Sequence, residues 1–128
     1  MIENDDRRYT VSDCLSIHAE TGLPIVFDAF HHQVHSSGGS LREACEQAAK
    51  TWKDADGIPI VDYSSQAPDA PVGKHTETID QDHFRRFLDT TRPTDIDIML
   101  EIKDKEESAL QAVEIASRDK RFTSPIEW

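Results

Sequence analysis

The chain has 128 residues, enough for a single domain over 1–128 with a modest core. Its 25 acidic residues outweigh 14 Lys and Arg, and the net charge of −11 argues against general binding to DNA or anionic membranes. There is no signal peptide and no apolar run long enough to span a membrane, so no membrane partner and a cytoplasmic location are expected.

Met1-Ile2 is too short for a full strand and reads as the stub of one, ending at Glu3. Thr10 begins a helix, with Asp13 three residues on as an approximate capping box. Gly22 stops that helix, and Pro24 follows. The run 23–28 (Leu-Pro-Ile-Val-Phe-Asp) is the most informative stretch. It reads as a buried strand of a parallel sheet, ending abruptly in Asp28 with His31 and His32 just beyond. A loop containing Gly38 and Gly39 leads to Ser40, which with Glu43 forms a second capping box. Leu41, Ala44, Cys45, Ala48, Ala49 and Trp52 recur at the helical period, which predicts a helix over 41–54 closed by Gly57. Cys14 and Cys45 match no metal spacing and read as reduced core thiols.

Residues 58–63 predict the next strand, again ending in Asp62 before Tyr63. The segment 64–79 is a long polar loop carrying Lys74 and His75, and loops of that length are often functional. Asp80 caps a helix to about residue 90 that turns Phe84, Phe87 and Leu88 inward. Residues 95–102 predict the last strand, and 106–118 the last helix, with Ala109, Leu110, Val113 and Ala116 or Ser117 on its inner side. Phe122 and Trp128 are expected to pack the tail. This alternation predicts an α/β fold of four parallel β/α units, half of an eight-stranded barrel whose whole runs to about 250 residues.

Each predicted strand ends in a carboxylate: Glu3, Asp28, Asp62 and Glu101. In parallel α/β folds those ends share one edge, where ligands collect. Four negative charges in one mouth repel, and a bound cation offsets that repulsion. His31 and His75, in adjacent loops, would add nitrogen donors. Hard oxygen with borderline nitrogen suits Mn, Zn or Fe. A single strand-ending Asp or Glu is more commonly a helix cap, so the argument rests on the set. His32 and His35 read as neighbours of the site or as solvated, and His18 and His83 as ordinary helix residues. Lys103, Lys105, Arg7 and Arg8 follow strands and read either as phosphate contacts or as solvated.

These blocks resemble a known family. Residues 3–8 (Glu-Asn-Asp-Asp-Arg-Arg), 26–32 (Val-Phe-Asp-Ala-Phe-His-His), Tyr63 to Gln66, Gly73 to His75, and Asp97 to Lys105 match the C-terminal half of the UV damage endonucleases in order and spacing. The resemblance implies a TIM-barrel nuclease that nicks damaged double-stranded DNA 5′ of UV photoproducts or abasic sites in nucleotide excision repair. It implies a divalent metal cofactor, manganese foremost with zinc or magnesium as alternatives. By matching positions, Glu3, Asp28, His31, His75 and Glu101 would be catalytic through bound metal, and Asp62 would join them as a ligand. The sequence departs from the family where Ile60 and Asp62 stand in place of a Lys-x-His pair. It also carries only a stub of the first strand and lacks the N-terminal half.

Two other classes share the pattern: a non-catalytic half-barrel binding module, and a sugar-phosphate isomerase-like metal-dependent barrel. A half barrel leaves two strand edges and an inward face uncovered. Residues from Ile25 to Phe27, Ile58 to Val61 and Ile96 to Leu100 are expected on that face. They would favour association with a separate N-terminal half or a second copy of the chain.

Overall fold

The computed structural model describes residues 1–123; Trp128 lies outside the described residues. Four strands form one all-parallel sheet: β1 (Ile2–Glu3), β2 (Ile25–Asp28), β3 (Ile60–Tyr63) and β4 (Asp97–Leu100). Their order in the sheet follows the chain, β1-β2-β3-β4. A doubly wound sheet reverses direction at a switch point; this one never does, which is barrel behaviour. The helices are α1 (Val11–Thr21), α2 (Ala29–Val34), α3 (Leu41–Ala49), α4 (Gln81–Thr91) and α5 (Glu106–Ala116). The architecture is therefore α/β and matches a partial TIM barrel.

The two faces of the sheet differ sharply. Ile25, Phe27, Val61 and Tyr63 join Val11, Cys14, Ala44, Cys45, Ala48, Phe84, Phe87, Leu88 and Ala112 in one core, with Ile98 and Leu100 packed against it. The helices therefore cover one face. Side chains alternate along a strand, and laterally paired residues share a face. The register pairs Glu3 with Val26, Asp28 with Asp62, and Asp62 with Met99. The other face thus carries Glu3, Val26, Asp28, Ile60, Asp62, Asp97, Met99 and, one step on, Glu101. The expected apolar inward face is mostly acidic instead. The expectation counted whole apolar runs, whereas the pleat sends every second residue to the helices.

Capping follows the sequence except at α3, where Ser40 Oγ accepts the Glu43 N–H but the returning bond of the expected capping box is not made. Thr10 and Asp13 make both bonds of the capping box, and Gly22 closes α1 in the left-handed region at φ 74°. Ser40 and Asp80 cap α3 and α4. Boundaries differ more. Leu23 and Ile58 are exposed and fall outside the strands, and Ile96 precedes β4. The helix predicted over 41–54 stops at Ala49, and a single 3₁₀ turn follows at Asp54–Asp56. Trp52 leaves the helical face, and its Nε1–H donates to the Ile25 carbonyl (2.8 Å). In α5 the buried residues are Ser108 and Ala112, while Leu110 and Val113, expected inside, are 73% and 49% exposed. Ser108 Oγ accepts the Ile79 N–H, and that bond sets the rotation of the helix.

Candidate metal centre

The site is built on the stub. Glu3 ends β1, and the next residue, Asn4, is fully buried. Its Nδ2 donates to the Asp28 carbonyl (2.9 Å), and its Oδ1 accepts the Asp28 N–H (2.9 Å). The side-chain amide thus copies a peptide group and extends the ladder one step beyond β1. This fixes the end of β2 beside the end of β1. Asp28 is itself buried and uses its two oxygens separately. Oδ1 accepts the His31 N–H as the N-cap of α2 (2.8 Å), while Oδ2 lies 3.1 Å from His31 Nδ1. The helix α2, not foreseen in the sequence, begins at this cap. Asp28 is therefore both helix cap and site residue; the two roles do not compete.

His31 Nδ1 also lies 2.9 Å from the Asn4 carbonyl and 3.8 Å from Glu3 Oε1. A carbonyl only accepts, so Nδ1 carries a proton, and in the neutral ring Nε2 then keeps its lone pair. His75 repeats the arrangement, with Nδ1 against the Glu101 carbonyl at 3.0 Å. Backbone carbonyls orient metal-ligating imidazoles in this way. The His31 and His75 rings are 6.4 Å apart, and His75 stands edge-on to Phe30 at 5.1 Å. Glu101 continues the sheet past β4 through its N–H to the Tyr63 carbonyl (2.9 Å).

One donor atom each from Glu3, Asp28 and His31 falls within 4.8 Å of the other two. This is the tightest metal-sized group among the described residues. Asp62 lies next to it on the same face, and the charges of Glu3 and Glu101 act on its carboxyl. Glu101 acts on Asp28 and Asp62 through its charge, and His75 flanks from the long loop. Asp62, Glu101 and His75 thus border the group of three rather than complete it.

The electrostatics have one theme. Burial, then the Asp28 charge, raises the Glu3 carboxyl above its ordinary pKa. Burial raises Asp28 too, against the lowering effect of the His31 N–H. Burial, with the charges of Glu3 and Glu101, pushes Asp62 up to about 7. For His31 burial works downward, but Asp28, the Asn4 carbonyl and Glu3 outweigh it and leave the ring more basic than usual. Acids raised and a histidine raised together describe a site short of positive charge. Two carboxylate oxygens with an imidazole that, when neutral, offers Nε2 fit a divalent cation well.

Asn4 is the residue that sequence reading missed. Its only signal is an amide immediately after a strand-ending Glu, which acquires meaning once β1 is seen to pair with β2. His32, expected as a neighbour of the site or solvated, is instead buried against Phe27 on the helix-covered face, beside Val11, Leu15 and Ala44, with no partner at Nδ1. His83 Nδ1 and Tyr63 Oη are hydrogen-bonded (2.7 Å), away from the acidic face.

The model of the UV-endonuclease UvdE family matches residues 1–125. A UV DNA damage endonuclease of Clostridium perfringens (strain 13 / Type A) is 34% identical over 115 residues, covering 88% of this chain and 28% of that protein. Its counterpart in Bacillus cereus (strain 03BB102) is 32% identical over 133 residues, covering 99% of this chain and 42% of its own. The crystal structure of SacUVDE is similar with a TM-score of 0.88 and 43% identity, over 95% of this chain and 40% of its own. The chain therefore spans well under half the length of these relatives. No described helix is long and apolar enough to cross a membrane. A match over nearly the whole chain, with a sheet and acidic edge of this kind, means that the chain belongs to the UV-endonuclease UvdE family.

Proposed function

We propose that this chain forms the metal-binding edge of an endonuclease that nicks damaged double-stranded DNA, 5′ of UV photoproducts or abasic sites, as the first step of excision repair. The observation that carries this reading is the meeting of Glu3, Asp28 and His31 within 4.8 Å, in a chain of the UvdE family. Glu3, Asp28, Asp62 and Glu101 would offer oxygens, and His31 and His75 their Nε2 nitrogens. The oxygen majority favours manganese, with zinc or magnesium as alternatives. When bound, a divalent cation supplies an acidified water and positive charge beside a phosphodiester.

The chain's own residues do the rest. Asn4 and the Asp28 cap hold the carboxylates in place before any ligand arrives. The Asn4 and Glu101 carbonyls hold the Nδ1 protons and so leave Nε2 as the donor atom of each neutral ring. The raised carboxyl of Asp62 is positioned to hold or release a proton near neutral pH. The family match speaks against the sugar-phosphate isomerase reading.

Calorimetry with manganese tests the site. Wild type should bind and release protons at pH 7, because the raised carboxyls must ionise to coordinate. Asp28→Asn with His31→Gln should bind at least tenfold more weakly, and wild-type affinity should fall as pH drops through the range, raised above that of an ordinary histidine, in which His31 protonates. Equal affinity in both proteins would place the metal elsewhere. Nicking of a lesion-bearing duplex by wild type, lost in the double variant, tests the activity.

A further inference from the structure

We infer that the loop between β3 and α4, together with Arg7 and Arg8, forms a rigid ridge that reads damaged duplex DNA, with Val72 as an apolar wedge and Lys74, Arg7 and Arg8 as phosphate contacts. The inference rests on the DNA-nicking reading above and assigns residues to its substrate.

The long loop is not slack. Gln66 Nε2 donates to the carbonyls of Ala67, Ala70 and Pro71 at 3.1, 3.3 and 2.9 Å, and its Oε1 accepts the Gly73 N–H at 2.9 Å. The Ala67 N–H bonds the Lys74 carbonyl (2.8 Å), and Gln66 bridges His75 in antiparallel fashion. One buttressed tip results, and at that tip Val72 is 81% exposed. No other large hydrophobic side chain among the described residues is as exposed. Water offers a valine there nothing, so a fixed, bare valine beside a reactive edge calls for an apolar partner.

The loop leans on the segment after β1. A Cβ added at Gly73 would lie 3.4 Å from Asp6 Oδ2, at van der Waals contact, and the φ of 96° at Gly73 favours glycine in this turn. Arg7 and Arg8 come next, and their backbone is fixed: Asp5 Oδ1 accepts the N–H groups of Arg7, Arg8 and Tyr9 at 3.0, 2.6 and 2.8 Å. Their side chains are exposed, as is Lys74, and none of the three makes an ion pair or side-chain hydrogen bond among the described residues. Each lies close in sequence to a residue of the acidic centre: Lys74 adjoins His75, and Arg7 is four residues past Glu3.

Free cations on fixed backbone, in a chain of net charge −11, mark where a polyanion crosses. Cations flanking an apolar tip match the phosphates on either side of an opened base step. A photoproduct or abasic site is already weakly stacked, so a wedge enters there at lower cost than in intact duplex.

The test is fluorescence anisotropy of the full chain, with manganese present, on an abasic-site duplex and on its undamaged counterpart. Val72→Ser should weaken binding to the lesion duplex by about tenfold and leave the undamaged duplex unaffected. Arg7→Gln with Arg8→Gln and Lys74→Gln should weaken both duplexes alike, and lower the slope of log affinity against log salt by roughly 2–3. Lesion affinity unchanged in the valine variant, or a salt slope unchanged in the triple variant, would overturn the ridge while leaving the DNA reading intact. Wild type that binds manganese but neither duplex would overturn the DNA reading, and the ridge with it.

Discussion

Asn4 and Asp62 show how single residues set this site. Asn4→Ala strips partners from the Asp28 N–H and carbonyl together, in a place water does not reach. Unpaired buried groups of this kind cost about 1–3 kcal/mol each, so a loss of about 2–4 kcal/mol in urea unfolding is expected, with weaker manganese binding. Stability unchanged within about 0.5 kcal/mol would show that the amide does not carry the ladder. Asp62 works in the opposite sense. Its folded pKa is about 7, above its unfolded value, so the folded chain holds this proton more tightly. Through this group the metal-free protein loses stability as pH rises from about 4 toward 7. Asp62→Asn removes the effect. In EDTA the variant should unfold at higher urea than wild type at pH 8, and the gap should close toward pH 4. A gap independent of pH would mean that Asp62 does not titrate as described. The carboxylates were legible in the sequence because strand-ending acids are a pattern of residue types. Asn4 was not, because its role depends on which strand lies beside it.

At the scale of elements, the order and type of the four β/α units were legible, while the short helix α2 and the limits of the units were not. Asp80, Ser40 and the Thr10–Asp13 pair announce helix starts through local chemistry that involves no distant partner. Helix rotation and strand ends depend on distant partners. In α5 the stripe containing Leu110 and Val113 is as apolar as the true one, and Ser108 decides between them by accepting the Ile79 N–H. Arg121 gives a second case of a remote tie. Its guanidinium donates to the carbonyls of Leu88 (2.8 Å) and Thr94 (2.7 Å) and pairs with Asp119 (2.9 Å), locking the end of α4 to the segment after α5. Nothing local in the sequence marks it. Arg121→Ala should cost about 2–4 kcal/mol, because it leaves a buried carboxylate and two carbonyls short of donors. The exposed Arg118→Ala serves as control, with an expected change within about 0.5 kcal/mol. The same ion pairs hold the Asp119 carboxyl far below the usual range, Arg121 foremost. Their contribution is present above the unfolded pKa near 4 and is lost as pH falls below it, so Asp119→Asn should flatten the acid limb of the stability profile.

For the whole molecule, the question is what an open sheet does in solution. The acidic face carries Glu3, Asp28, Asp62, Asp97 and Glu101 around Val26, Ile60 and Met99, so it repels a second copy rather than attracting one. The apolar surface lies at the flanks instead. Leu110 and Val113 are bare on α5 at one side of the sheet, and Ile17 and Leu23 are 38% and 41% exposed near α1 at the other. The strand edges of β1 and β4 also have no partner strand among the described residues. Edges and flanks favour pairing with another chain, while a charge of −11 opposes it. Salt decides between them, because the screening length shortens from about 10 Å at 0.1 M to about 3 Å at 1 M, while apolar contacts persist. The chain should therefore sediment mainly as monomer at low salt and associate as salt rises, at micromolar concentration. Leu110→Glu with Val113→Glu should keep it monomeric throughout. A wild-type chain that stays monomeric at about 1 M salt would show that these flanks are too small to bind a partner, since at that ionic strength charge no longer holds the copies apart.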